Sequence, residues 1–331
     1  MTTKKAAPAK KESREKGPIS AAKAAAIKKA TRASHAALGG ISPRTEGTDR
    51  TKKALVFVYR WGWTTTGLLE IAIGKGVAAR MIKAGLLVKT RTISGGIDGT
   101  PSHFLTLSRI GLERATQLSG VELPYRLNAE RIPQATMNHH ETVQRITVVR
   151  DKFEGDLASF LTEKELRNSG KLTLTDKIPD AAWTLKNDPN GINRLAVEVE
   201  LSPKWRQELD TFVYQSLMQL SQNIYDGIVI FSHSKALLAR YKTAFKVDAK
   251  VQTWTRPQGA WIKGWVMTIP DRAEGVIQFT LITPELLGKA PKSASTAAVD
   301  LSGNALESDD YVDMDDLMLN DYPPEGMVFK L

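Results

Sequence analysis

Residues 194–201 alternate in polarity as a β-strand does, because successive side chains of a strand point to opposite faces of a sheet. One face carries four aliphatic residues, Leu195, Val197, Val199 and Leu201. The other face carries Ala196, Glu198 and Glu200. Two carboxylates on one face of a buried strand repel each other, so this arrangement is costly unless a cation lies between them or the face is exposed.

The segments around this strand predict a fold that combines α+β and α/β features. A long helix at 203–224, a continuously apolar strand at 227–231 and a helix at 232–245 follow it, and such an apolar strand is typical of a parallel sheet. A helix at about 140–152 and short strands at 158–161, 171–174 and 181–185 precede it. Three further strands are predicted at 251–254, 261–268 and 276–282. We expect one domain at 138–284, with a mixed sheet and flanking helices.

Asp180 follows Pro179 at the start of the strand before the alternating one. If these two strands pair antiparallel, Asp180 joins Glu198 and Glu200. Converging carboxylates in a chain without cysteine suit Mg²⁺ or Mn²⁺ rather than zinc. Metal-assisted phosphodiester cleavage is the chemistry that such a site performs. The alternative is a solvated strand face on which Glu198 and Glu200 lie opposite Lys or Arg partners.

The 331 residues include no cysteine and carry a formal net charge of +10. The absence of cysteine excludes disulfides, thiolate zinc sites, iron–sulfur clusters and a cysteine nucleophile. No apolar run approaches the roughly 20 residues of a membrane span, and the lysine-rich start lacks the apolar part of a signal peptide. We therefore expect a cytoplasmic protein, and the positive charge favours nucleic acid as its partner.

The two ends of the chain carry opposite charge. Residues 1–53 sum to +10 and residues 296–331 to −8, and both ends lack the apolar residues that build a core. We expect disordered tails at 1–49 and 285–331. Acidic and apolar residues alternate at 309–321, a pattern typical of segments that fold on a protein partner. A solubilising or autoinhibitory tail that competes with DNA is the equally weighted alternative.

Residues 50–128 show the element order of a winged helix-turn-helix domain. Helices are predicted at 51–59, 67–73 and 75–84, a strand hairpin at 86–107 and a last helix at 109–118. The third helix and the following strand carry the candidate DNA-binding residues Lys75, Arg80, Lys83, Lys89 and Arg91. Such a helix suits the major groove of duplex DNA, with the hairpin on phosphates. A winged helix used only for protein contacts is the alternative.

Several short motifs together resemble the PD-(D/E)xK nuclease core. They are Lys177–Ala181, Val197–Glu200, the helix after them and the strand 227–231. Residues 50–245 are most similar to the replication-relaxation family, which is related to MobC-type conjugative relaxases. The resemblance implies a relaxase of a plasmid or mobile element that binds double-stranded DNA at an origin of transfer or replication and nicks it. It also implies single-stranded DNA and a coupling or relaxosome protein as further partners.

The resemblance assigns roles to individual residues. Asp180 and Glu198 match the metal-binding acids, for Mg²⁺ or Mn²⁺, whereas Glu200 stands where that core usually has the lysine that orients the attacking water. Lys204 or Lys177 would then supply the amine, and Glu200 would act on water. Gln215 lies where related nucleases place a glutamine, although a solvated helix face explains it too.

Weaker candidates accompany these residues. His139 and His140 suit a metal site or a general base, or else a helix cap or an interdomain contact, and Glu165 belongs to the stretch before Pro179 that the resemblance includes. Trp254, Trp261 and Trp265 would stack on single-stranded DNA or complete a sheet face. Two rival functions remain: a non-catalytic DNA-binding accessory or regulatory protein, and a restriction-like endonuclease.

Overall fold

The chain alternates between helices and strands. The structure is a computed structural model that describes residues 43–97, 99–170, 177–186 and 192–288, together with eight positions between residues 23 and 33. Its first elements are α1 (Pro43–Trp61), α2 (Thr66–Ile73), α3 (Val77–Lys83), β1 (Leu87–Arg91), β2 (His103–Leu107) and α4 (Arg109–Ser119). The next are α5 (Met137–Val149), β3 (Leu157–Thr162), α6 (Glu163–Asn168), β4 (Ala181–Leu185), β5 (Arg194–Val199) and α7 (Arg206–Ser221). The last are β6 (Gly227–Ser232), α8 (Lys235–Ala244), β7 (Lys250–Thr255), β8 (Ile262–Thr268) and β9 (Ile277–Leu281).

Helices α1 to α4 and the β1–β2 hairpin enclose an apolar core. Its fully buried members include Ala54, Val58, Leu68, Leu69, Val77, Ala78 and Leu105. Thr65 caps α2, because its side-chain oxygen accepts a hydrogen bond of 3.3 Å from the amide of Leu68. Thr64 forms an antiparallel bridge with Leu105 of β2, through N–H···O bonds of 3.0 and 2.7 Å. The hairpin thus gains a short third strand segment that joins it to the loop between α1 and α2.

The second part of the chain is built on a five-stranded mixed sheet of order β3-β4-β5-β6-β9. Strands β3, β4 and β5 pair antiparallel, whereas β6 runs parallel to β5 and β9 parallel to β6. A parallel pair needs a crossover between its strands. Helix α7 makes the crossover from β5 to β6, and α8 with the β7–β8 hairpin makes the one from β6 to β9.

Opposite faces of β5 lie in different cores, as the alternation of the sequence predicts. Leu195, Val197 and Val199 pack with Val143 and Ile146 of α5. Ala196 on the other face packs with residues of α7 and α8, among them Phe212, Val213, Leu237 and Tyr241. Because one residue of register would exchange the two faces, this burial fixes the register of β5.

Side chains tie the first part of the chain to the sheet. Arg60, near the end of α1, donates to Glu165 at 2.6 and 3.0 Å and to the Phe160 carbonyl at 2.5 Å. The rings of Trp61 and Phe160 stack with centroids 5.9 Å apart. The described residues accordingly belong to one compact unit, which ends at Lys289.

The structure differs from the sequence-based boundaries at several places. Helix α1 begins at Pro43, inside the predicted disordered tail 1–49, and Leu287 of the predicted tail 285–331 is buried against the sheet. Lys75 precedes α3 instead of lying on it, because Gly76 adopts a left-handed φ of +75° at the helix start. Helix α7 starts at Arg206 rather than at residue 203. The predicted strand 171–174 and the acidic segment 309–321 lie outside the described residues.

Helices of the described residues are either too short or too polar to cross a membrane.

Candidate functional site

Asp180 lies beside β5 because β4 and β5 pair antiparallel, as the sequence analysis required. Its backbone amide donates to the Val197 carbonyl at 3.0 Å. Its carboxylate oxygen Oδ2 accepts a hydrogen bond of 2.8 Å from the amide of Val199. These contacts hold the carboxylate at the end of β5, against the backbone amide of Val199, the residue between Glu198 and Glu200.

Glu198 and Glu200 are both buried, each with 5% of its surface exposed. They share the face of β5 that packs on α7 and α8, and the amide of Glu200 donates to the Phe231 carbonyl of β6 at 2.8 Å. The alternative prediction of a solvated strand face is therefore wrong, because neither glutamate is exposed. It is correct with respect to cationic partners, because each glutamate has a lysine.

Lys177 ion-pairs with Oε1 of Glu198, and Lys204 ion-pairs with Oε1 of Glu200. Both ammonium groups lie close to the ring of Phe212, with that of Lys177 4.2 Å and that of Lys204 4.8 Å from its centroid. An aromatic face attracts a cation and fixes its position. One amine comes from the loop before β4 and the other from the loop before α7.

Two further residues hold this arrangement, and the sequence analysis did not assign them a role. The hydroxyl of the fully buried Tyr241 donates to Oε2 of Glu200 at 2.9 Å. The buried Gln219 donates through Nε2 to the carbonyl of Lys177. The place of Tyr241 on the buried face of α8, directly after the strand next to β5, was the available signal for this contact.

His139 contacts the acidic cluster, whereas His140 does not. Nε2 of His139 lies 3.0 Å from Oδ2 of Asp180, and the His140 ring stacks on His139 with centroids 5.5 Å apart. Burial lowers the pKa of His139 although Glu200 and Glu163 oppose this change. A neutral imidazole that donates from Nε2 to Asp180 fits these contacts.

Burial raises the pKa of Asp180 and Glu198 to about 7. Lys177 opposes the rise for both groups, and the other carboxylates of the cluster add to it. The charged forms of these acids are therefore costly in the folded protein unless a cation stabilises them.

A cavity of about 450 Å³ opens on the cluster, lined by His139, Lys177, Asp180, Glu198, Glu200 and Lys204 among others. No group of three or more histidine or acidic side chains in the described part of the chain is arranged to hold a metal ion. The expected set of three acids is not formed, because Lys204 and Tyr241 occupy both oxygens of Glu200. Asp180 and Glu198 remain as a pair, and one or two carboxylates with water and phosphate oxygens are the usual ligands of Mg²⁺. The donor set fits that ion.

Two sequence candidates lie elsewhere. Glu165 caps α6 together with Thr162 and pairs with Arg60, so its contacts are structural. Gln215 is half-buried on α7 and lines a neighbouring pocket that also includes Lys177.

The candidate DNA-binding residues are exposed around α3 and along β1. They are Lys75, Arg80, Lys83, Lys89 and Arg91. Arg80 also lines a groove of about 540 Å³ between α1, α3 and α4, with Arg44, Lys52 and Arg114. The residues of this groove include four cations and no acid in the described part of the chain.

Comparison of the chain with protein-family models, curated proteins and solved structures gives no match.

Proposed function

We propose that the chain is a divalent-metal-dependent DNA endonuclease that binds duplex DNA with residues 50–128 and nicks a strand at Asp180 and Glu198. One observation carries the proposal. The half-buried carboxylate of Asp180, directly before β4, and the buried carboxylate of Glu198 on β5 lie with two lysines at an open cavity, on a chain with a strong excess of positive charge.

The topology supports this reading of the second part of the chain. This part contains a helix, three antiparallel strands, a crossover helix and a parallel strand. The PD-(D/E)xK resemblance implies a mixed sheet with flanking helices, and these elements agree with that expectation. The resemblance assigns the metal-binding role to Asp180, directly before β4, and to Glu198 on β5. Because one fold supports many activities, the argument depends on the site and not on the topology alone.

Asp180 and Glu198 would hold Mg²⁺ or Mn²⁺. The ion, when bound, polarises a phosphate oxygen and promotes the ionisation of a water molecule. His139 and the amide of Val199 fix the orientation of Asp180. Lys204 is about one-third exposed and Lys177 mostly buried, so Lys204 is the better placed of the two to contact a phosphate in the cavity. Hydrolysis then adds water across a phosphodiester bond and leaves a phosphate monoester and a hydroxyl group.

The first part of the chain supports a winged helix-turn-helix. Its helix order and hairpin match that domain type, and the Thr64–Leu105 bridge extends the hairpin with a third strand segment. Exposed cations on α3 and β1 would contact phosphates and bases, with Arg44, Lys52 and Arg114 next to Arg80 adding phosphate contacts. The resemblance to the replication-relaxation family favours an origin of a plasmid or mobile element as the duplex, and a mobilisation relaxase as the whole function.

The test is nicking of supercoiled plasmid with Mg²⁺, with Mn²⁺ and with a chelator. We expect open-circular product with metal from the wild-type protein and from Glu274→Gln, which changes an exposed glutamate outside the cavity. No product from Asp180→Asn or Glu198→Gln is expected. Equal nicking by all four proteins, or none by the wild type, would exclude the assignment.

A second candidate function has one observation in its favour. Glu198 and Glu200 each already have a lysine partner, so the cluster is partly neutralised without a metal ion. A DNA-binding accessory protein that keeps the nuclease fold without cleavage would show this pairing. It predicts specific duplex binding that metal ions do not change, and no nicking under any metal condition.

A further inference from the structure

A pocket of about 520 Å³ lies between α7 and the β7–β8 hairpin. Half of the residues that line it carry aromatic rings or amides, namely Tyr214, Gln215, Gln219, Gln222, Trp254 and Trp261. Flat rings offer stacking surfaces, and amides offer donors and acceptors together. This combination is the one that unpaired nucleic-acid bases require.

The aromatic side chains are held in place. The indole N–H of Trp254 donates to Oδ2 of Asp210 on α7 at 2.9 Å. The guanidinium carbon of Arg256 lies 5.1 Å from the ring centroid of Trp261, and both residues line the pocket. A rigid ring loses little conformational entropy when a base stacks on it.

Gln219 gives an independent indication of a polar ligand. Only 3% of its surface is exposed, and its Nε2 donates to the carbonyl of Lys177. Its Oε1 is buried and has no hydrogen-bond partner among the described residues. A buried acceptor without a partner is destabilising, and a donor on a bound ligand would satisfy it.

This pocket adjoins the cavity at Asp180 and Glu198, because Lys177 lines both of them. The residues that line the pocket include the cations Lys177 and Arg256 and no acid in the described part of the chain. A DNA strand that placed a base in the pocket would therefore meet favourable charge along its backbone.

We propose that this pocket binds an unpaired base of the DNA strand that is cut, next to the cleavage cavity. The proposal rests on the proposed function for the identity of the ligand as DNA. The substrate at the site of chemistry is then locally single-stranded, while the winged helix part holds the adjacent duplex.

The experiment measures fluorescence anisotropy of a labelled oligothymidylate of roughly 12 nucleotides, in a chelator so that cleavage does not interfere. A labelled duplex without unpaired bases is titrated in parallel. The variants are Trp261→Ala and Gln215→Ala. The control is Trp205→Ala, since Trp205 also has an arginine over its ring, Arg240 at 4.1 Å, but lies outside the pocket.

We expect Trp261→Ala to weaken oligothymidylate binding by about tenfold or more and Gln215→Ala to weaken it less, with duplex binding unchanged. Trp205→Ala should bind like the wild type. The proposal is overturned if the wild type does not bind the oligothymidylate, if both pocket variants bind it normally, or if all variants lose single strand and duplex equally. It is also overturned if sedimentation shows that the pocket variants lose self-association instead, because the pocket would then be a protein contact.

The two proposals fail separately. Strand binding through Trp261 without any nicking would support the pocket and contradict the endonuclease assignment. Metal-dependent nicking by the wild type, with normal strand binding by Trp261→Ala, would support the endonuclease assignment and contradict the pocket.

Discussion

Tyr241 donates its hydroxyl hydrogen to Oε2 of Glu200 at 2.9 Å, from the first helix after the strand that neighbours β5. Burial is the main cause that raises the pKa of Tyr241, and the charge of Glu200 raises it further, so the hydroxyl keeps its proton. Since Lys204 pairs with the other oxygen, Glu200 is held on both sides. The cluster therefore depends on a residue 41 positions along the chain from Glu200.

Tyr241→Phe tests this contact. The ring still fits its site, but Oε2 of Glu200 loses its donor while buried. We expect the free energy of unfolding to fall by about 1–3 kcal/mol, measured by urea denaturation. Tyr214→Phe is the matched control, because among the described residues the Tyr214 hydroxyl makes no hydrogen bond to the cluster. Equal losses of unfolding free energy in both variants would contradict a special role for Tyr241.

Asp180→Ala or Glu198→Ala should abolish metal-dependent nicking and leave duplex binding intact. The acids would hold the ion, whereas the exposed cations around α3 would bind DNA at a distance from them. Plasmid nicking and gel-shift titration, run on the same preparations, separate the two activities. Parallel loss of duplex binding would show that the substitutions damage the whole unit.

Glu200→Gln should slow nicking strongly while Mn²⁺ affinity changes little, since an amide keeps the shape of the side chain but loses the charge that holds Lys204 at the cavity. Glu200→Lys restores the residue type that the resemblance expects at this position and should retain activity. Calorimetric titration of Mn²⁺ into Asp180→Asn and both Glu200 variants measures the affinities. If Glu200→Gln loses Mn²⁺ as completely as Asp180→Asn, Glu200 is a metal ligand.

Arg80→Ala should weaken duplex binding and lower the slope of log affinity against log salt by about one unit, if Arg80 makes one phosphate contact. Fluorescence anisotropy over a series of salt concentrations measures both quantities. Lys246→Ala, which removes an exposed lysine after α8, is the control. An unchanged slope for Arg80→Ala would assign phosphate binding to other residues.

Stability should depend on pH through Asp180 and Glu198. Because their pKa is raised, the folded state binds protons more tightly than the unfolded chain, so stability falls as pH rises from the ordinary carboxyl range to about 7. Asp180→Asn removes one of the two titrating groups. Between the ordinary carboxyl range and pH 7, its melting temperature should therefore fall less than that of the wild type. Mn²⁺ at pH 8 should raise the melting temperature of the wild type alone; an equal rise in Asp180→Asn would place the ion elsewhere.

The sequence predicted most elements of the fold because their patterns are local. The alternation at 194–201 and the apolar run at 227–231 each describe their own segment, and the structure confirms them. The candidate site was predicted in part: the approach of Asp180 to β5 is confirmed, and a ligand set of three acids is not.

What the sequence could not supply depends on contacts between distant segments. Lys177 and Lys204 were both candidates for the amine, and only their ion pairs with Glu198 and Glu200 show that both reach the cluster. Gln215 was the candidate on α7, yet Gln219, one turn further along the same helix, is the buried glutamine. Glu165 matched a motif, but its capping contact with Thr162 explains it.

Arg60 ties the end of α1 to Glu165 and Phe160, so the part that would hold the duplex and the part that would cut it belong to one unit. Two modules on a loose tether would cut at variable distances from the sequence they bind. With this connection, the distance from the recognised sequence to the nick should be a constant number of base pairs. Replacing Arg60 should then broaden a single cut position into a series of neighbouring ones, without a change in which sequence is bound.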